Sequence, residues 1–139
     1  MKLITLISGG AFILLSAFVM RKETATQQSL YDTKWHLTKI HTVSGTEEVP
    51  IKTAFIKFNE KKKSAGGNGG CNTFGSTLIV KSDAISITEI FSTKMYCEGV
   101  QATEDAFFKQ LEKVNRFEIK DKTLLLYLNK DLLLEFESA

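Results

Sequence analysis

A chain of 139 residues with 18 Lys+Arg and 16 Asp+Glu has a net charge of +2, which leaves no basic excess for a nucleic-acid surface. One proline and 43% apolar residues, with phenylalanine the main aromatic, exclude a disordered or proline-rich chain and fit a single packed domain.

Met1 and Lys2 precede a charge-free stretch of 18 residues, Leu3 to Met20, followed by Arg21-Lys22-Glu23. A positive start before an uncharged apolar run is the pattern of a signal sequence or N-terminal membrane anchor over residues 1–20. Its length is at the short limit for spanning a bilayer, and Gly9-Gly10 weakens it as a helix. Leu15-Ser16-Ala17 resembles the start of a lipobox, but Phe18 stands where the lipidated cysteine would be. Lipid anchoring therefore lacks its thiol, and a tether through residues 3–20 is the membrane contact to expect. Residues 21–29 are polar and read as a flexible linker. The folded domain spans residues 30–139.

Within it, Lys34 to Val43 has the β-branched and aromatic content of a strand, although its alternation is imperfect. Ser44 to Pro50 reads as a loop and Ala54 to Asn59 as a second strand. Lys61 to Gly75 reads as a turn followed by a glycine-rich loop, with Lys61-Lys62-Lys63 solvated rather than a phosphate site. Thr77–Lys81 and Ala84–Glu89 form a hairpin turned at Ser82-Asp83. The period then changes. Thr103 is a candidate N-cap, Glu104 and Asp105 fall in the first helical turn, and Phe107, Leu111 and Val114 share one face. Arg116–Lys120, Thr123–Leu128 and Leu132–Phe136 are three more strands. Short turns between consecutive strands predict antiparallel pairing, hence an α+β fold: a curved sheet or small open barrel with one helix packed against it.

The chemistry-bearing residues form no complete active site. Gly66-Gly67-Asn68-Gly69-Gly70-Cys71-Asn72 permits close backbone approach but lacks the Gly-Lys-Ser/Thr ending of a phosphate loop. It reads instead as a turn or bulge crossed by another segment. Cys71 and Cys97 are the only thiols, and in an exported domain they predict one disulfide. Zinc is the competitor, with His36 and His41. No Cys-x-x-Cys is present, and five residues of regular strand would put the two histidines on opposite faces. Glu104 and Asp105 are adjacent and diverge on a helix, which makes them poor partners for paired-carboxylate catalysis. Trp35 reads as core.

The constellation Trp35-x-Leu37, Gly69-Gly70-Cys71-Asn72-Thr73-Phe74, Ser92-Thr93-Lys94-Met95-x-Cys97, Glu104-x-x-Phe107 and a leucine-rich final strand pair resembles the META domain, the HslJ-like heat-shock family. The resemblance runs from about Leu30 to Phe136. It implies a small exported protein of the bacterial envelope with a β-rich, single-helix fold and a link to envelope stress. It implies no catalytic residue, cofactor or metal. The expected function is a non-enzymatic module binding an envelope protein or a small hydrophobic ligand, with a candidate binding loop at Asn68, Asn72, Thr73 and Phe74. The alternative is a thiol-redox or hydrolytic enzyme using Cys71 or Cys97.

Overall fold

The computed structural model describes residues 27–50 and 52–139. Residues 1–20, expected to form a signal sequence or anchor, and residues 21–26 of the expected linker lie outside this range. Within it the chain forms β1 (Trp35–Thr42), β2 (Gly45–Glu48), β3 (Phe55–Asn59), β4 (Ser64–Asn68), β5 (Thr73–Lys81), β6 (Ala84–Ser92), α1 (Gln101–Leu111), β7 (Arg116–Lys120), β8 (Thr123–Leu128) and β9 (Asp131–Ser138). The strands are neighbours in the order β2-β1-β3-β4-β5-β6-β7-β8-β9, and β9 also pairs with β1, so the sheet curves into a ring. Every pairing between named strands is antiparallel. The expected architecture, a strongly curved antiparallel sheet with one helix, is the one observed. Its thinnest seam is β6–β7, where Ala84 and Arg116 are the one matched residue pair.

Alternation builds the core. Trp35, Leu37 and Ile40 of β1 point inward with Ile56, Leu78, Ile87, Leu124, Leu126, Leu134 and Phe136. Trp35 and Leu37 keep period two, but Ile40 comes one residue late. A bulge opposite Glu135, between Leu37 and Lys39, absorbs the extra residue. That bulge explains the imperfect alternation of the sequence. It also corrects the expectation for the histidines: the phase shift turns both His36 and His41 outward. They do not converge, because His36 Nδ1 bonds Lys52 O at 3.0 Å while His41 bridges Glu135 Oε2 at 2.7 Å and Thr46 Oγ1 at 2.9 Å.

Two strands carry no strong signal in the sequence. β2 is exposed throughout and has no apolar residue; it forms because the end of β1 offers it a paired edge. β4 lies inside the stretch read as a glycine loop. A Cβ on Gly67 would stand 2.1 Å from the Phe55 carbonyl oxygen, so glycine is what lets β3 and β4 approach.

The helix begins at Gln101, earlier than the capping argument placed it. Val100 is the N-cap and makes no side-chain capping bond. Thr103 lies inside the first turn and bonds Glu47 Oε1 at 2.8 Å. Phe107, Leu111 and Val114 are buried as their spacing predicts, and Phe107 meets Phe136 at 5.9 Å between ring centroids.

The other end of the ring is crossed by the segment before β1. Leu30 is buried, and its carbonyl accepts the Trp35 Nε1–H at 3.0 Å. Gln27 Nε2 donates to Ile119 O at 2.9 Å, so the last residues of the predicted linker lie against β7. Among the described residues, no helix is long and apolar enough to cross a membrane.

Candidate functional site

Cys71, Asn72, the 92–98 segment and the start of α1 meet at one end of the ring. Cys71 and Cys97 have their sulfurs 1.96 Å apart and their Cα atoms 5.8 Å apart, at disulfide distance. The 26-residue separation closes a loop containing β5 and β6.

Asn72 is the second tie between the same two segments. Its Oδ1 accepts from Thr93 Oγ1 at 2.9 Å and from Met95 N at 2.8 Å. Its Nδ2 donates to Met95 O at 3.0 Å and to Glu104 Oε1 at 2.6 Å. Two donors and two acceptors exhaust an amide side chain. Glu104, only 1% exposed, completes the clamp from the helix. Its Oε2 accepts from the Cys71 and Asn72 backbone N–H groups at 2.8 and 2.6 Å. Every one of these contacts donates to the carboxyl group, which sits near the helix N-terminus where negative charge is favoured.

The glycines make this approach possible. A Cβ on Gly69 would fall 2.6 Å from Phe108 Cζ and 2.8 Å from Glu104 Cγ. Gly70 has φ of +120°, a conformation open to glycine at little cost. The expected glycine loop is thus a strand over Gly66–Asn68, and only its Gly69–Asn72 part is a turn crossed closely by another segment, here α1.

Of the four residues expected to form a binding loop, Asn72 and Phe74 face inward. Asn72 is 3% exposed. Phe74 packs edge-on against Phe107 and Phe108, with centroids at 5.7 and 5.1 Å. Asn68 is half-buried and accepts the Gly70 N–H at 2.7 Å; Thr73 alone is exposed. The reason is the polarity of the crossing. Asn72 saturates its amide by satisfying backbone groups of the neighbouring segment, and burial next to Glu104 follows.

The exposed surface lies on that neighbouring segment instead. Met95 and Tyr96 are 60% and 77% exposed. With Phe108, Lys94, Gln101 and Asp105 they line a shallow cleft of about 270 Å³. Phe91 is also exposed, but its ring covers Gly75, where a Cβ would stand 2.6 Å from Phe91 Cζ. Sequence reasoning missed both Glu104 and the Met95–Tyr96 display. The available signal for Glu104 was its position three residues before Phe107 and seven before Leu111, on the helix's apolar face.

A separate polar cluster lies on β7 and β8. Arg116 Nη1 bonds Glu118 Oε1 at 2.8 Å, and its guanidinium sits 4.0 Å from the centre of the Tyr127 ring. The Arg116 hydrogen bond holds the Glu118 carboxyl below its ordinary value, with Lys120 adding to the effect against partial desolvation. Desolvation, then the charge of Glu118, raises the Tyr127 hydroxyl above its own. Among the described residues, no three His, Cys, Asp or Glu side chains are grouped to hold a metal.

The architecture is shared with solved structures. An NMR structure of a protein from Burkholderia xenovorans is 23% identical, with a TM-score of 0.63 over 79% of this chain and 83% of that one. A second NMR structure, 16% identical, has a TM-score of 0.56 over 76% and 87% of the two chains. The crystal structure of a DUF4847 family protein from Bacteroides vulgatus ATCC 8482, 14% identical, has a TM-score of 0.55 over 78% and 93%. At these identities the likeness is one of fold. No curated protein matches the chain significantly. The META domain profile matches residues 28–139, a span that holds the whole ring, the helix and both cysteines, and the chain belongs to the META domain family.

Proposed function

We propose that this META domain is a non-enzymatic binding module of the bacterial envelope, exported or tethered through residues 3–20 and acting in envelope stress. The observation that carries the binding reading is the display of Met95 and Tyr96. Both are largely exposed, yet the backbone of Met95 is held at N and O by Asn72, and Cys97 bonds Cys71 two residues later. Exposed apolar side chains on a pinned segment lose little entropy on contact, which suits recognition of an apolar patch on a protein or of a small hydrophobic ligand. The stress role rests on the family resemblance alone.

The groups that a thiol or carboxyl enzyme would use are engaged elsewhere. Each cysteine sulfur lies at bonding distance from the other, and Glu104 accepts three hydrogen bonds inside the clamp. The test is a double variant, Met95→Ser with Tyr96→Ser, in the full chain. Crosslinked capture of its envelope partner, or binding of an apolar fluorescent probe, should fall about tenfold with an unchanged unfolding midpoint. Unchanged capture would sink the surface. A thiol-exchange or ester-hydrolysis rate that disappears in a folded Cys97→Ser variant would establish the enzyme instead.

A further inference from the structure

In a ring of consecutive antiparallel strands, every second connection lies at the same end. The β3–β4, β5–β6 and β7–β8 turns therefore share one end, while the Gly69–Asn72 connection and the β6–α1–β7 crossing occupy the other. The three turns and the strand ends beside them bring together six exposed lysines, Lys61, Lys62, Lys63, Lys81, Lys120 and Lys122; the acids on the turns are Glu60, Asp83 and Asp121, with Glu118 3.5 Å from Lys120 and the exposed Glu137 opposite Thr123. Read singly, each turn is a solvated charge cluster. The consecutive antiparallel order gathers them at one end, and the curvature of the sheet brings them together on one face.

The segment leading to the N-terminus leaves from this same face. Gln27 bonds Ile119 O beside the third turn, and Tyr31 bridges Phe58 beside the first. One groove, lined by Gln27, Ser82, Asp83 and Lys120, links the second turn to the third. Another, lined by Tyr31, Glu60, Lys63 and Val80, links the first turn to the crossing segment, whose Asp32 is a further acid. Seven Cα–Cα steps separate Met20, the end of the apolar stretch, from Gln27. Fully extended they reach at most about 25 Å.

We propose that the lysine-rimmed end rests on an anionic lipid surface, leaving Met95 and Tyr96 to face away from it. The proposal rests on the reading of residues 3–20 as a membrane tether. A tether that short keeps the lysines at high effective concentration near the headgroups. The surface potential of anionic lipid attracts lysines that come within a Debye length, about 8 Å at physiological salt. The opposite end has no matching surplus: around Tyr96, Lys94 is accompanied by the exposed Glu98 on the same segment and Asp105 on α1.

The test uses the full chain with vesicles or nanodiscs of phosphatidylcholine, alone or with roughly one-third phosphatidylglycerol, carrying a lipid-bound gadolinium chelate. Amide signals of Lys62, Ser82 and Lys122 should broaden roughly threefold more than those of Tyr96 and Gly99 on the anionic lipid, and the contrast should fade near 0.5 M salt. The variant Lys62→Glu, Lys81→Glu, Lys122→Glu changes only exposed residues in the turns or at a strand end and should lose the contrast with its fold intact, as the other amide shifts report. Equal broadening at both ends, stronger broadening at Tyr96, or an unaffected triple variant overturns the proposal. Sedimentation separates it from the tether reading. A chain that pellets with both lipids but shows no contrast keeps its tether and loses the lipid-facing end. A chain that pellets only with the anionic vesicles supports the lysine face and removes the tether, and one that pellets with neither overturns both.

Discussion

Asn72 has no free hydrogen-bonding position left for a ligand, so its removal is a stability experiment. Asn72→Ala would strand Met95 N and O, Thr93 Oγ1 and one oxygen of Glu104. We expect a loss of about 1–3 kcal/mol in urea unfolding, since the Glu104 oxygen is stranded in a buried site while the part-buried groups of Thr93 and Met95 turn to water. Glu104→Gln is the subtler probe. An amide nitrogen cannot accept, so at least one of the Cys71, Asn72 or Nδ2 donors loses its partner, at a cost of about 1–3 kcal/mol. A variant as stable as the parent would show that the clamp contributes nothing. Glu118 gives the pH-dependent case. Its carboxyl is held low by the Arg116 hydrogen bond, with Lys120 in support. A carboxylate depressed in the folded state contributes stability above its unfolded pKa and loses it as pH falls through the folded one. The Arg116–Glu118 contact should therefore persist through neutral and mildly acidic pH and fail only below the ordinary glutamate range. A carboxyl NMR titration with a midpoint at or above that ordinary value would refute this.

Between elements, the junction of the β4–β5 connection with α1 and the segment before it combines a covalent tie, a buried polar clamp and an aromatic cluster. The polar and covalent ties use different atoms of the same two segments. Reducing the disulfide, or replacing both cysteines by serine, should cost up to about 3.5 kcal/mol by loop-closure entropy for a loop of this length. The Met95 segment should nevertheless stay in place, because Asn72 still binds it at N and O. Retained amide shifts for Thr93 to Tyr96 in the reduced protein would check this, and their collapse to random-coil values would make the disulfide the sole tie. Gly69→Ala attacks the same junction sterically. A Cβ there meets Phe108 and Glu104 at once, so the helix must move or the loop must open. Overpacking of this kind costs about 1–3 kcal/mol, read as a lower unfolding midpoint.

For the whole molecule, the closing residues come from far apart in the chain. β1 is held on one side by β3 and β2 and on the other by β9, and the crossing segment lays Leu30 over that end of the core. A chain beginning at Gln27 should therefore unfold at the parent's midpoint, since it keeps Leu30 and the Trp35 Nε1 contact. One beginning at Asp32 removes both and should lose about 3 kcal/mol, from the exposed apolar area together with an unpaired indole N–H. Equal midpoints for all three chains would mean that the crossing segment only rests on the ring.

Some of this was legible in the residues alone. The apolar spacing of Phe107, Leu111 and Val114, the clean alternation of Arg116–Lys120 and the short turns at Ser82-Asp83 and Asp121-Lys122 determined a helix, two hairpins and an antiparallel sheet, because local periodicity and turn chemistry act over a few residues. Two cysteines in a segment read as exported pointed to one pairing. Other features were decided by tertiary structure. β2 and β4 exist because neighbouring edges recruit polar and glycine-rich sequence with little strand propensity of its own. The β1 bulge reverses the side on which His41 stands, and no spacing rule foresees a one-residue insertion in a ladder. Asn72, a polar residue with every local reason to face water, and Glu104, a carboxylate on the helix's apolar face, are buried because the glycine loop and the helix meet there and satisfy one another. The consecutive antiparallel order of the strands collects the lysine turns at one end and the Tyr96 display at the other, since which residues share an end depends on strand pairing across the whole chain.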